Sequence, residues 1–263
     1  MRQQNLDSKI NWEMLFNLPL DTKLVRKAAP RITEHNAQNQ IATALHESVH
    51  ILYAVKHKSI ILSAAIATSN NFKNASGRIV KGSIIDLLDN WTWGAIESYL
   101  AAGLFELELD SDNINYIAKA EEINAINTLQ SYRKVNASNV SLPFFSDKSI
   151  VEGIFEKIYP HEFTKNWITV KTVAKALLYY RKKDGYFPDH LLGSLTRFVR
   201  DRLCDIEPTR DDVKDFYSTM SALSPYVKKQ NAIERKQYEK WMRENDLDTI
   251  LENNRIKQLK YNY

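Results

Sequence analysis

The pattern of apolar and polar positions predicts a mainly helical chain with a small sheet. Apolar residues recur at helical spacing in segments near 12–17, 36–57, 86–107, 113–130, 147–158, 163–183 and 227–244. Two shorter runs, 59–68 and 78–85, are apolar and partly β-branched, which favours strands. Seven glycines and seven prolines leave few turns for hairpins. We therefore expect an α+β fold that is mostly α.

The helix predicted at 36–57 contains His46-Glu47-Ser48-Val49-His50, which reads H-E-x-x-H. Two histidines four residues apart lie on one face of a helix, where both can bind one Zn²⁺. The glutamate between them can deprotonate the water that the metal activates. The histidines border the apolar stripe of the helix, which consists of Ala42, Leu45, Val49, Leu52 and Tyr53. Buried histidines need polar partners, and a metal is one such partner.

Composition narrows the class of protein. A chain of 263 residues that is 44% hydrophobic can bury a sizeable core, and its net charge of +4 does not demand a nucleic-acid partner. The longest apolar run, 60–67, is too short to cross a bilayer, and no signal-peptide pattern is evident. A single cysteine, Cys204, excludes an internal disulfide and fits a reducing compartment. We expect a cytoplasmic protein with no membrane contact, whose zinc ligands are His, Asp or Glu.

A catalytic zinc needs a third protein ligand. The acidic cluster at Asp110 and Asp112 is favoured, because it begins a helix that follows a helix expected to pack on the first. Either aspartate could instead cap the helix from residue 113. The full set of candidates is Asp110, Asp112, Glu106, Glu108, His57 and His161.

Four sequence blocks together resemble the peptidase domain of the FtsH-type ATP-dependent zinc proteases. The first is the H-E-x-x-H helix with its preceding Ala44-Leu45, and a small predicted sheet follows it. The next is Leu100-Ala101-Ala102-Gly103, which resembles the Ala-Gly motif of that family. The last two are Ser111-Asp112 before residues 113–120, and the helix from Trp167 to Leu178. The resemblance covers about residues 36–190.

This resemblance implies that His46, His50 and Asp112 bind zinc and that Glu47 is the general base, with Asp110 as the alternative third ligand. Val49 and Leu104 depart from the family, which usually has glycine at the first position and a basic residue at the second. No G-x-x-x-x-G-K-[ST] phosphate loop occurs in the chain. We therefore expect no ATPase activity of its own and a separate partner that delivers a peptide or protein substrate.

The sequence thus predicts a stand-alone zinc metalloendopeptidase. Residues 1–35 would form an N-terminal segment, 36–190 a zincin-like helical peptidase domain, and 191–263 a helical C-terminal extension. In that extension, alternating basic and acidic residues favour a solvated helix face over a nucleic-acid contact.

Three alternatives stay open. An inactive peptidase-like protein could bind a partner through the same groove, and Val49 is the best support for that reading. A regulator-cleaving protease of the phage-repressor type also uses H-E-x-x-H, with a later acidic ligand. A helical nucleic-acid-binding or scaffold protein with an accidental motif is the third.

Overall fold

The computed structural model describes residues 9–67, 77–82, 88–111, 121–129, 162–203 and 208–244. These residues are mainly helical, as predicted. The helices are α1 (Trp12–Asn17), α2 (Thr22–Ala28), α3 (Glu34–Lys56), α4 (Leu88–Leu109), α5 (residues 121–129), α6 (Glu162–Lys165), α7 (Trp167–Tyr180), α8 (Asp189–Arg200) and α9 (Arg210–Glu244). None of the described helices is both long and apolar enough to cross a bilayer. The helix expected at 147–158 lies outside the described residues.

Helix α3 is the centre of the fold. Every residue from Ala44 to Val55 is buried, and helices α2, α4, α7, α8 and α9 and both strands pack around it. A helix that is buried on all sides needs apolar residues around its whole circumference. It ends one residue before the predicted position, where the Ser59 amide donates to the Ala54 carbonyl at 2.8 Å and Lys58 adopts a left-handed φ of 60°.

The two predicted strands form an antiparallel pair, β1 (Ile60–Ile66) and β2 (Gly77–Gly82). On the other edge of β1 lies a short extended segment that the sequence pattern did not predict. There the Ile66 amide donates to the Gly185 carbonyl at 2.9 Å, and the Phe187 amide donates to the Ala64 carbonyl at 2.8 Å. Among the described residues, β2 is therefore an outer strand of the sheet.

Two buried cations attach the first two helices to α7 and the residue that follows it. The Nζ atom of Lys175 donates to the Leu15 and Phe16 carbonyls at 3.1 and 3.3 Å, at the end of α1. Arg181 Nη2 donates to the Val25 carbonyl of α2 at 3.1 Å, and burial lowers the pKa of Arg181 to about 10. Positive charge is favourable at a helix C-terminus, where carbonyls lack partners in the helix.

The N-terminal segment was expected to hold one short helix near 12–17. That helix is confirmed, and α2 is an additional one. Buried residues from α1, α2, α3, α7, α8 and α9 belong to one core. The proposed division at residues 35 and 190 stays a prediction.

Helix α9 begins at Arg210 and is longer than the predicted 227–244. A capping box begins this helix, because the Asp212 amide donates to Thr209 Oγ1 at 3.1 Å and the Thr209 amide donates to Asp212 Oδ2 at 3.1 Å. Its first half buries Phe216, Met220, Leu223 and Val227, a stripe with helical spacing. Trp167 Nε1 also donates to Asp215 Oδ2 at 2.8 Å, which joins α7 to α9.

We expect Lys175→Met to lower the free energy of unfolding by about 2 kcal/mol, because two helix-end carbonyls lose a charged donor in a buried site. Urea denaturation measures this loss. Lys171→Met is the matched control, since Lys171 lies one turn earlier and pairs with the half-exposed Asp215 at 2.6 Å. That change should cost less than about 1 kcal/mol. Equal losses in the two variants would contradict the capping role of Lys175.

Candidate metal centre

The two motif histidines meet a glutamate from α5. Nε2 of His46 lies 3.8 Å from Oε1 of Glu121, and Nε2 of His50 lies 3.7 Å from the same oxygen. The three ligand atoms lie within 4.8 Å of one another. His46 and His50 are each only 6% exposed, and the Glu121 side chain is 13% exposed. These side chains therefore converge on one buried point.

The remaining ring nitrogen of each histidine contacts α4. Nδ1 of His50 lies 2.9 Å from Ser98 Oγ, a hydrogen-bond distance. Nδ1 of His46 lies 3.0 Å from Glu106 Oε1, although the ring N–H is not aligned well enough for a regular hydrogen bond. Ser98 and Glu106 are both buried. Metal-binding histidines commonly have such a partner on the second nitrogen, which fixes the ring so that the first nitrogen faces the metal.

The helical repeat explains why both contacts form at once. His46 and His50 are four residues apart on α3, and Ser98, Ala102 and Glu106 are four residues apart on α4, so each set shares one face. His50 contacts the earlier residue of α4 and His46 the later one, so the two helices run antiparallel. Ala102 lies between the two contacts and is fully buried. The predicted small-residue patch at 101–103 thus lies between the two residues of α4 that contact the imidazoles.

Negative charge is concentrated around His46. Burial alone would lower the pKa of His46, but the contact with Glu106 and the charges of Glu106, Glu47 and Glu121 raise it to about 9. Burial and the charge of Glu121 also raise the pKa of Tyr99, whose ring lies 5.8 Å from that of His50. Buried carboxylates require compensating positive charge. A divalent cation at the convergence of the histidines would supply it.

Glu47 is buried beside the histidines, and the first residue of β2 packs against it. A Cβ atom built on Gly77 would lie 2.5 Å from Glu47 Oε1 and 2.8 Å from Thr43 Cγ2. Only a glycine backbone can approach this closely without displacing the glutamate. The start of β2 therefore sets the position of the Glu47 carboxylate.

The other predicted ligands have different surroundings. Asp112 and His161 lie outside the described residues, so the prediction for Asp112 stays untested. Asp110 is buried and accepts a hydrogen bond of 2.9 Å from Asn231 Nδ2 of α9. His57 lies about two helical turns beyond the motif, and its Nε2 atom is 2.7 Å from Glu97 Oε2.

Two further predicted residues have buried or partly buried positions. Glu108 lies near the end of α4 and is half-buried against α9, and this burial raises its pKa. Val49, where the resembling family has glycine, is fully buried in the hydrophobic core.

Sequence reasoning missed Glu121, although a signal for it exists. Ala125 and Leu129 follow it at spacings of four and eight residues and are both fully buried. Glu121 therefore lies on the buried stripe of α5, where an acidic residue needs a partner. The predicted ligands Asp110 and Asp112 precede this predicted helix, whereas Glu121 lies within it.

The donor set suits a borderline-soft divalent cation such as Zn²⁺, which is bound by imidazole nitrogen and carboxylate oxygen. Ligand atoms in a tetrahedral zinc site are about 3.3 Å apart, given bond lengths near 2.0–2.1 Å. The separations here are somewhat wider, so the three side chains would have to close around an ion. Two histidines and one carboxylate leave the fourth position open, which is the composition of a catalytic site.

No protein-family model matches the chain, and neither a curated protein nor a solved structure shows a significant match to it. The resemblance to the FtsH-type peptidases therefore stays an expectation from the sequence blocks.

We expect Gly77→Ala to lower the free energy of unfolding by about 1–3 kcal/mol, because the new methyl group must displace Glu47 or Thr43. Gly193→Ala in α8 is the matched control, since apart from its chain neighbours and the nearby helix backbone no atom lies within 4 Å of its Cβ position. An exposed helical glycine changed to alanine should raise stability by about 1 kcal/mol. Chemical denaturation measures both, and a neutral Gly77→Ala would contradict the close approach to Glu47.

Proposed function

We propose that the chain is a zinc-dependent metallopeptidase in which His46, His50 and Glu121 bind the metal and Glu47 is the general base. One observation carries the proposal. Each imidazole has one nitrogen against a buried polar residue of α4, and the other nitrogen of each ring faces the same carboxylate oxygen. This arrangement places one carboxylate oxygen where a metal bound by both imidazoles would find its third ligand.

Each residue of the site has a separate role in the proposed peptide hydrolysis. When bound, Zn²⁺ would supply Lewis-acid activation of a water molecule and of the scissile carbonyl. Glu47 accepts the proton of the attacking water and passes it to the leaving amine, so that the tetrahedral adduct collapses to a free acid and a free amine. Ser98 and Glu106 hold the imidazole rings, and Gly77 lets β2 lie directly against the Glu47 carboxylate.

The proposed fold is zincin-like, with the metal helix α3 packed beside a small sheet. The substrate class is a peptide or a flexible segment of a protein, because no nucleotide-binding loop supplies an unfolding motor within this sequence. A partner protein would present folded substrates. Gly77, the first residue of β2, lies beside Glu47, so an extended peptide that pairs with this strand would reach the base.

We expect the purified protein to bind about one zinc per chain, and Glu121→Gln and His46→Ala to lower the affinity strongly. Glu106→Gln should weaken it by about 10–100-fold, because the partner of a ligating histidine is lost. Competition with a chromogenic zinc chelator measures each affinity. Glu122→Gln is the matched control, because Glu122 neighbours Glu121 but is not among the converging ligand atoms.

Asp112→Ala in the same assay separates the two candidates for the third ligand. Full affinity in Asp112→Ala with loss in Glu121→Gln supports Glu121, and the reverse result supports the sequence prediction. Equal zinc binding in the parent, His46→Ala, Glu121→Gln and Asp112→Ala would refute the metal centre.

We expect Glu47→Gln to keep zinc and to lose hydrolysis of fluorescein-labelled casein by about 10²–10⁴-fold, the usual contribution of a general base. The amide has nearly the shape of the carboxylate but cannot accept the proton. Release of acid-soluble fluorescence measures the rate. A Glu47→Gln variant as active as the parent would exclude Glu47 as the base, and a zinc-loaded parent without activity would favour the inactive, partner-binding alternative.

A further inference from the structure

A basic groove lies between the start of α1 and the exposed face of α8, apart from the metal centre. Its walls include Lys9, Trp12, Gly193, Arg197 and Arg202, and its volume is about 880 Å³. Volumes of this size accommodate a ligand or a short peptide segment. None of its residues takes part in the proposed hydrolysis.

The charge of the groove is positive. Asp201 also lines it, but the Asp201 carboxylate lies 3.8 Å from Nε of Arg200, which offsets its charge. Among the described residues, no carboxylate lies within ion-pair distance of Lys9, Arg197 or Arg202. Three exposed cations therefore share one concave surface.

One of these cations is held in place by aromatic rings. The guanidinium carbon of Arg202 lies 4.6 Å from the centre of the Phe16 ring and 5.1 Å from that of Phe198. Trp12 stacks on Phe198 with ring centres 3.8 Å apart and nearly parallel planes. A guanidinium held against aromatic faces loses less entropy when it binds a carboxylate.

Gly193 indicates that the groove has a ligand. It lies in the middle of α8 between Arg197 and His190, each about one turn away, and apart from its chain neighbours and the nearby helix backbone no atom lies within 4 Å of its Cβ position. Glycine there costs about 1 kcal/mol relative to alanine. Packing within the described chain does not require a glycine at this position. A ligand that approaches the helix backbone between cationic side chains would require one.

We infer that this groove binds an acidic segment of a partner or substrate protein. The arginine forks match carboxylates, which they can bind through two parallel hydrogen bonds. A second, smaller cavity shares Asp201 and Arg202 with the groove but is also lined by Asp212, so the positive charge is concentrated in the larger groove. A nucleic acid is less well matched, since the net charge of the whole protein is only +4.

The test is fluorescence anisotropy with a labelled glutamate-rich peptide and with the same peptide carrying glutamine at every glutamate. Glu47→Gln protein is used, so that hydrolysis cannot consume the probe and the result does not depend on the metal centre. The acidic peptide should bind more weakly as salt rises, and the glutamine peptide should not bind. Arg197→Ala and Arg202→Ala should each weaken binding about tenfold.

Two further variants separate binding from folding. Gly193→Gln should fill the groove and weaken binding about tenfold while the melting temperature stays the same or rises, because glutamine is a good helix former. Lys182→Ala, which removes an exposed cation outside the groove, should change affinity by less than about twofold. Three results would each overturn the inference. The acidic peptide could fail to bind, or Lys182→Ala and Arg197→Ala could have equal effects. The third is an oligouridine that binds in this groove more tightly than the acidic peptide.

Discussion

Burial of two imidazoles in the central helix constrains the elements around it. Helix α3 is enclosed from Ala44 to Val55, and within that length His46, Glu47, Ser48 and His50 are polar. Leaving one buried charge without compensation costs several kcal/mol, and a whole domain is stable by only about 5–15 kcal/mol. The fold can therefore tolerate this segment only if its neighbours supply partners at the correct positions. Ser48 meets the need locally, since its hydroxyl donates to the Ala44 carbonyl at 2.6 Å.

The histidines take their partners from outside the helix, and the surrounding architecture follows from that requirement. Helix α4 supplies Ser98 and Glu106, and helix α5 supplies Glu121. The first residue of β2 has no side chain, so the sheet can lie directly against Glu47. Outer helices then cover this assembly, and two buried cations on α7 and just after it hold the first two helices against it. The packing of the core and the proposed metal site thus depend on the same few polar contacts.

Local patterns were sufficient for most helices and for the motif itself. The H-E-x-x-H spacing and the apolar stripe of α3 are properties of consecutive residues, so periodicity reveals both. Local patterns do not identify Glu121, because only tertiary packing decides which of several acidic residues on later helices contacts the histidines. The extended segment at 185–187 was missed because three residues are too few to show alternation, and their partner on β1 is distant in sequence. The early start of α9 depends on a stripe that is buried only by tertiary packing, as where Phe216 packs edge-on against Trp167.

The contacts between α3 and α4 also fix how the two helices align along their length. Sliding one helix past the other by a single turn would place a buried imidazole opposite Ala102, which has no polar atom to offer. Polar residues inside coiled coils fix alignment in the same way, by making every shifted pairing unfavourable. A chain without the proposed peptidase chemistry would still need His46, His50, Ser98 and Glu106 to select one packing. Among relatives of this protein, retention of these four residues would therefore report on folding specificity, and the identity of residue 47 would report on the proposed catalysis.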